Sequence, residues 1–150
     1  MNGIKSIKDI NQLKAEFLSK SENESFARMI VASFIAPLDP TIEELSDVRT
    51  AVSEAVTNAI VHGYSEKKGT VYLECSCIGD TVTITVKDYG KGIADVKKAM
   101  EPMYTDCPDG ERSGMGFTVM ETFMDSVKVD SIPGVGTKVI MTKAIGRNRL

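Results

Sequence analysis

One stretch, VSEAVTNAIVHGY at 52–64, constrains this chain more than any other. Val52, Ala55, Val56, Ala59 and Ile60 fall at i, i+3, i+4, i+7 and i+8, the pattern of an amphipathic helix laid on a core. Glu54, Asn58 and His62 are each four residues apart, so they form one drifting ridge along the edge of that buried stripe. A carboxylate one turn below a carboxamide, at the margin of a core, suits a site that takes a proton and holds a hydrated cation. Alone, such a pair reads as a solvated helix edge. Two further segments of the chain shift that balance.

The helix has a defined start. Asp39-Pro40 breaks the chain, and TIEE at 41–44 is a capping box, with Thr41 capping and Glu44 reaching back. The central helix is therefore expected from Thr41 to His62, ended by Gly63. Upstream, residues 1–12 are polar and weakly patterned and predict a mobile start or an ill-defined edge; 13–18 predict a short strand. Helix-start residues at 21–24 precede an apolar run, Phe26 to Ile35, that stops ahead of Pro37. Downstream, 70–78 and 81–87 alternate as two strands around the two-residue turn Gly79-Asp80. A short helix over 93–101 follows, then a polar loop over 102–112 of the length expected of a lid. Glycines at 114 and 116 open an apolar helix to Met124, and a second hairpin pairs 127–132 with 137–142. This order predicts one α+β domain over 1–150, a two-layer sandwich with helices on one face of a mixed β-sheet.

Composition excludes several classes. At 150 residues the chain buries a full core without disulfides or metal. Its net charge is −3 and its lysines are scattered, so no basic footprint for nucleic acid is present; Lys143, Arg147 and Arg149 read as a solvated terminus. No apolar run approaches the roughly 18 residues of a membrane span, and MNGIKSIKDI lacks a signal peptide's apolar region, which predicts a cytoplasmic protein without membrane contact. Three cysteines cannot all pair; Cys75 and Cys77 share one face of an alternating strand and are expected to be reduced core filler.

Two segments join the central helix. Asp88 ends a strand ahead of Gly90 and Gly92, which places an acceptor-only carboxylate on a rigid element beside backbone that a ligand can approach. An exocyclic amine suits such an acceptor. In RSGMGF at 112–117, glycines at a helix N-terminus present free N–H groups and the positive dipole end to an anion, with Arg112 beside them. The order Glu-x-x-x-Asn, Asp-x-Gly-x-Gly, Gly-x-Gly and Gly136-Thr137 resembles the nucleotide boxes of the GHKL ATPases, the superfamily of gyrase, the histidine kinases and the mismatch-repair ATPases. Within it, SFARMIVASFIAPLDP at 25–40, SEAVTNAIVHGY at 53–64 and ERSGMGFTVM at 111–120 look like the family of sporulation anti-sigma F factors, over about residues 20–142.

The resemblance implies a GHKL (Bergerat) fold and a serine kinase that also traps a sigma factor. It implies ATP and Mg²⁺ as cofactors. Glu54 would be the base for an attacking serine hydroxyl, Asn58 would hold Mg²⁺ on the phosphates, and Asp88 would read the adenine amine. Gly90, Gly92, Arg112, Ser113, Gly114, Gly116 and Thr137 fall at pocket or phosphate positions, and Arg28 at the partner-contacting arginine. The implied partners are the sporulation sigma F factor, a STAS-type anti-anti-sigma antagonist and a second copy of the chain. A detached histidine-kinase catalytic domain would need a phosphoacceptor helix pair, yet the sole histidine, His62, lies inside the nucleotide-box helix. A non-catalytic ATP-sensing module would need no base, and Glu54 counts against it.

Overall fold

The computed structural model describes residues 10–65, 67–101 and 116–146. Strand β1 (Ile10–Leu18) leads into helix α1 (Asn23–Ile35), a 3₁₀ turn over Ala36–Leu38 and helix α2 (Ile42–Thr57). A π-helical turn over Asn58–Gly63 extends α2, followed by the hairpin β2 (Thr70–Ile78) and β3 (Thr81–Asp88). Helices α3 (Val96–Ala99) and α4 (Gly116–Phe123) precede the hairpin β4 (Ser126–Ile132) and β5 (Gly136–Ala144). The expected lid over 102–112 lies outside the described residues.

Local chemistry accounts for most boundaries. Thr41 Oγ1 accepts from Glu44 N at 3.0 Å while Thr41 N donates to Glu44 Oε1 at 2.9 Å, so both halves of the capping box form. Asn23 Nδ2 ties the start of α1 to the Leu18 carbonyl at 2.9 Å, and no side chain caps that helix. The strand at the start of the chain is longer than expected because Ile10, Asn11 and Gln12 pair in register with Ile78, Cys77 and Ser76. Pairing with a hairpin, not local pattern, orders this segment.

The strands form one five-stranded sheet in the order β1-β2-β3-β5-β4, and every neighbouring pair is antiparallel. The expected mixed sheet is corrected here. Strands β3 and β4 do run the same way, but β5 returns through its hairpin and inserts between them. One face of the sheet carries Leu73, Cys75, Ile84, Val86, Val139 and Met141, packed beneath Val31, Val48, Val52, Val56 and Met120 of the helices. The other carries Lys14, Glu74, Thr85 and Lys87, so the helices cover a single face, as a period-2 strand pattern dictates. Cys75 and Cys77 are buried, unpaired core residues. Burial, with Glu74 nearby, pushes the Cys75 thiol up to about 12.

Lys143 is not part of a solvated tail. Its Nζ donates to the Phe123 carbonyl at 2.7 Å and lies 3.8 Å from the Asp47 carboxylate, fastening β5 to the end of α4 and to the N-terminal half of α2. Arg147 and Arg149 lie outside the described residues.

Candidate functional site

Asp88 ends β3 on the face toward the helices and is 4% exposed. Its Oδ1 accepts from Gly90 N at 2.9 Å. Burial pushes its carboxyl above the ordinary range, and the backbone N–H groups of Gly90 and Thr137 only partly offset that. Thr137 sits opposite it in the β3–β5 register, 7% exposed, with Oγ1 2.8 Å from Ser131 Oγ.

The π turn brings the central helix to this carboxylate. Residues 58–63 leave the α-helical path one residue after Thr57, and turns of this kind recur where a helix must re-aim its side chains. Asn58, His62 and Gly63 consequently line one cleft with Asp88, Lys91, Gly92, Ile93 and Thr137. The cleft holds about 20 Å³, room for one water, so a nucleotide base enters only when its walls separate. The backbone of the 90–93 loop is pinned: Lys91 N donates to the Gly63 carbonyl at 2.8 Å, Gly134 N to the Lys91 carbonyl at 2.7 Å and Ile93 N to Ser131 Oγ at 2.7 Å. Widening therefore falls to side chains.

The glycines at 90 and 92 also make room for the chain's own backbone. A Cβ on Gly90 would lie 1.9 Å from the Gly63 carbonyl oxygen, and one on Gly92 2.3 Å from that of Ile132. The space is taken by the chain's own backbone, and Gly92 also has φ +77. Gly63 matters more directly, since a Cβ there would meet the Asp88 carboxyl at 2.7 Å. Tyr64 completes the frame: its hydroxyl donates to the Thr70 carbonyl at 2.5 Å and accepts from Tyr89 N, the residue after Asp88, at 2.9 Å.

Glu54 and Asn58 are both half-buried, as the ridge predicts, but they open on different spaces. Asn58 faces the cleft, whereas Glu54 lines a groove of about 390 Å³ shared with Arg28, Arg49 and Ser53. Arg28 is not a free surface charge. Glu24 holds it at 2.6 Å and also accepts from Ser53 Oγ and Thr57 Oγ1, each at 2.5 Å, so one carboxylate locks α1 to α2. Burial would raise the Glu24 carboxyl, yet those hydroxyls and Arg28 together hold it below its ordinary value. Sequence reasoning missed Glu24, Ser53, Thr57, Tyr64 and Lys91. Only the Glu24 and Arg28 spacing of four carried a signal. Gly116 begins α4 and is half-buried; Arg112, Ser113 and Gly114 lie outside the described residues.

The residues present suit an adenine nucleotide in their chemistry: a buried acceptor is kept clear by a missing Cβ, with Asn58 beside it. Among the described residues no cluster of three His, Cys, Asp or Glu forms a metal cage. A single carboxamide ligand is compatible with Mg²⁺, which takes most of its oxygens from phosphate and water. Among the described residues no helix is long and apolar enough to cross a membrane.

A family model for the histidine kinase-like ATPase domain matches residues 17–143. The anti-sigma F factor of Caldanaerobacter subterraneus subsp. tengcongensis is 58% identical over 139 residues, 93% of this chain and 97% of that protein. The chain belongs to the anti-sigma F factor family. Another family relative, the anti-sigma F factor of Clostridium acetobutylicum, is 62% identical over 134 residues, 89% of this chain and 93% of its own. Solved structures extend the likeness in fold alone. The RsbU and RsbW domains of a Mycobacterium tuberculosis protein give a TM-score of 0.66 at 19% identity, covering 90% of this chain and 32% of that one. The catalytic domain of histidine kinase ThkA gives 0.55 at 14%, covering 89% and 96%.

Proposed function

We propose that this family member is a single-domain cytoplasmic anti-sigma factor that binds and inhibits the sporulation sigma F factor. With Mg·ATP it phosphorylates a serine of a STAS-type anti-anti-sigma antagonist. The observation that carries this reading is the position of Glu54 and Asn58 on successive turns, one facing a groove and the other the Asp88 cleft. That arrangement suits a base that meets an acceptor hydroxyl on one side of the helix while the nucleotide lies on the other.

In this scheme Asp88 accepts from the adenine amine, and Gly90, Gly92 and Thr137 shape its surroundings. Asn58 would hold Mg²⁺ on the phosphates. Gly116 at the start of α4, with Arg112, Ser113 and Gly114 shortly before it in sequence, would cradle those phosphates. When bound, Mg·ATP would supply the γ-phosphoryl group and leave as ADP; Glu54 would take the proton of the serine hydroxyl that accepts that group. Arg28, presented in one orientation by Glu24, is the guanidinium offered to protein partners. Exposed Phe26 (57%) and Met29 (62%) on the same helix add the apolar anchors that protein interfaces favour. β1 is an edge strand of the sheet, which supports pairing with a second copy in a homodimer.

The test incubates the protein with labelled ATP and the antagonist, followed by identification of the labelled residue. Parent protein is expected to place label on serine. Glu54→Gln should retain ATP binding and transfer about 10² to 10⁴ times more slowly, the range a positioned base contributes. Label on histidine, or a parental rate from Glu54→Gln, would overturn the assignment.

A further inference from the structure

The groove between α1 and α2 holds a charge that neither the nucleotide nor the fold uses. Its lining includes Leu45, Arg49, Thr50, Ser53 and Glu54 of α2, with Arg28 of α1 opposite. The two arginines are not equivalent. Arg28 is tied to Glu24 at 2.6 Å and to Ser53 Oγ at 3.5 Å, so its charge is largely offset within the chain. Arg49 is exposed and makes no hydrogen bond or ion pair among the described residues. It lies on the groove side of α2, away from the Asn58 and Asp88 cleft, and so has no path to a nucleotide bound there.

We propose that this groove receives the acceptor segment of the protein substrate, and that Arg49 selects segments bearing a carboxylate close to the phosphorylated serine. The inference rests on the kinase reading above. Arg49 and Glu54 are five residues apart, about 7.5 Å along a helix axis. An extended chain advances about 3.3 Å per residue, so a carboxylate on Arg49 and a hydroxyl at Glu54 belong to residues about two or three apart. A phosphate dianion is a poorer occupant, because Glu54 lines the groove and Glu24 lies behind Arg28. A carboxylate held at the Arg49 end avoids both. A trapped sigma factor has no use for a base, whereas an acceptor hydroxyl needs the groove to end at one.

Steady-state phosphotransfer from ATP to the antagonist protein by the full chain tests this. Arg49→Ala is expected to raise KM for the antagonist by about fivefold to tenfold, the scale of one exposed charge contact. KM for ATP, and kcat at saturating antagonist, should stay at parental values. Arg49→Lys should recover part of the loss. An antagonist whose carboxylates near the phosphorylated serine are replaced by lysine should be a better substrate for Arg49→Glu than for the parent, an exchange that a merely structural role for Arg49 does not produce. An active parent with an unchanged antagonist KM in Arg49→Ala overturns the proposal. So does a loss confined to the sigma factor complex or to ATP. A parent that places no phosphate on serine instead removes the kinase reading itself, a result distinct from any Arg49 effect.

Discussion

Replacing Gly63 by alanine sets two opposing effects against each other. Gly63 is not among the residues with positive φ, so in open space alanine would stabilise the turn by up to about 1 kcal/mol through the unfolded chain. Space is what it lacks. The new Cβ would lie 2.7 Å from Cγ and Oδ1 of Asp88 and 2.8 Å from Oδ2, inside ordinary contact at 3.4 Å by 3.4 − 2.7 = 0.7 Å. Asp88 has little room to retreat, being 4% exposed and held by Gly90 N at 2.9 Å. Overpacking of this kind costs about 1–3 kcal/mol, which outweighs the backbone gain. Net of that gain, up to about 2 kcal/mol remains, which for a chain of this length lowers Tm by up to about 8 °C. Binding should suffer separately, since a displaced carboxylate loses a charge-assisted bond to the adenine amine worth about 1.5–3 kcal/mol, or about tenfold to a hundredfold in ATP affinity. GTP lacks that amine, so its affinity should change far less. Thermal melting and calorimetric titration with both nucleotides give the answer. A Gly63→Ala protein that melts at or above the parental temperature and binds ATP as tightly as the parent would refute the close approach as a constraint.

Two further expectations concern pH. Because burial raises the Asp88 carboxyl, adenosine, which carries no titrating phosphate, should bind progressively more weakly as pH falls, starting above the ordinary value of 3.8; the slope that persists in Asp88→Asn reports groups other than this carboxyl, the adenine ring nitrogen included, and the difference between the two proteins reports Asp88. The same shift makes the folded state hold that proton more readily than the unfolded chain, so this residue's contribution to stability improves as pH falls. Glu24 has the opposite sign: its carboxyl is held low, so its stabilisation is present above the ordinary value of 4.5 and is lost as pH falls through the depressed one. Denaturant melts of Glu24→Gln should show a loss of about 1–2 kcal/mol at neutral pH that shrinks toward zero in acid. A constant difference across the range would show that the carboxylate charge is not what joins α1 to α2.

The parts of this protein legible in its sequence are those that local chemistry fixes. The hairpin over 70–88 follows from strict alternation and a two-residue turn, and the start of α2 from side chains three residues apart. The Glu54 and Asn58 ridge follows from the helical period. Only the tertiary structure decided the rest, because it depends on which distant backbones touch. The insertion of β5 between β3 and β4 made the sheet antiparallel throughout, and no local pattern specifies a neighbour. Glycines at 63 and 90 look alike in sequence, yet one makes room for a carboxyl and the other for a carbonyl 27 residues away (90 − 63). Arg28 and Arg49 are both helix-face cations; the fold brings Ser53 and Thr57 to the carboxylate that neutralises the first and leaves the second without a partner among the described residues.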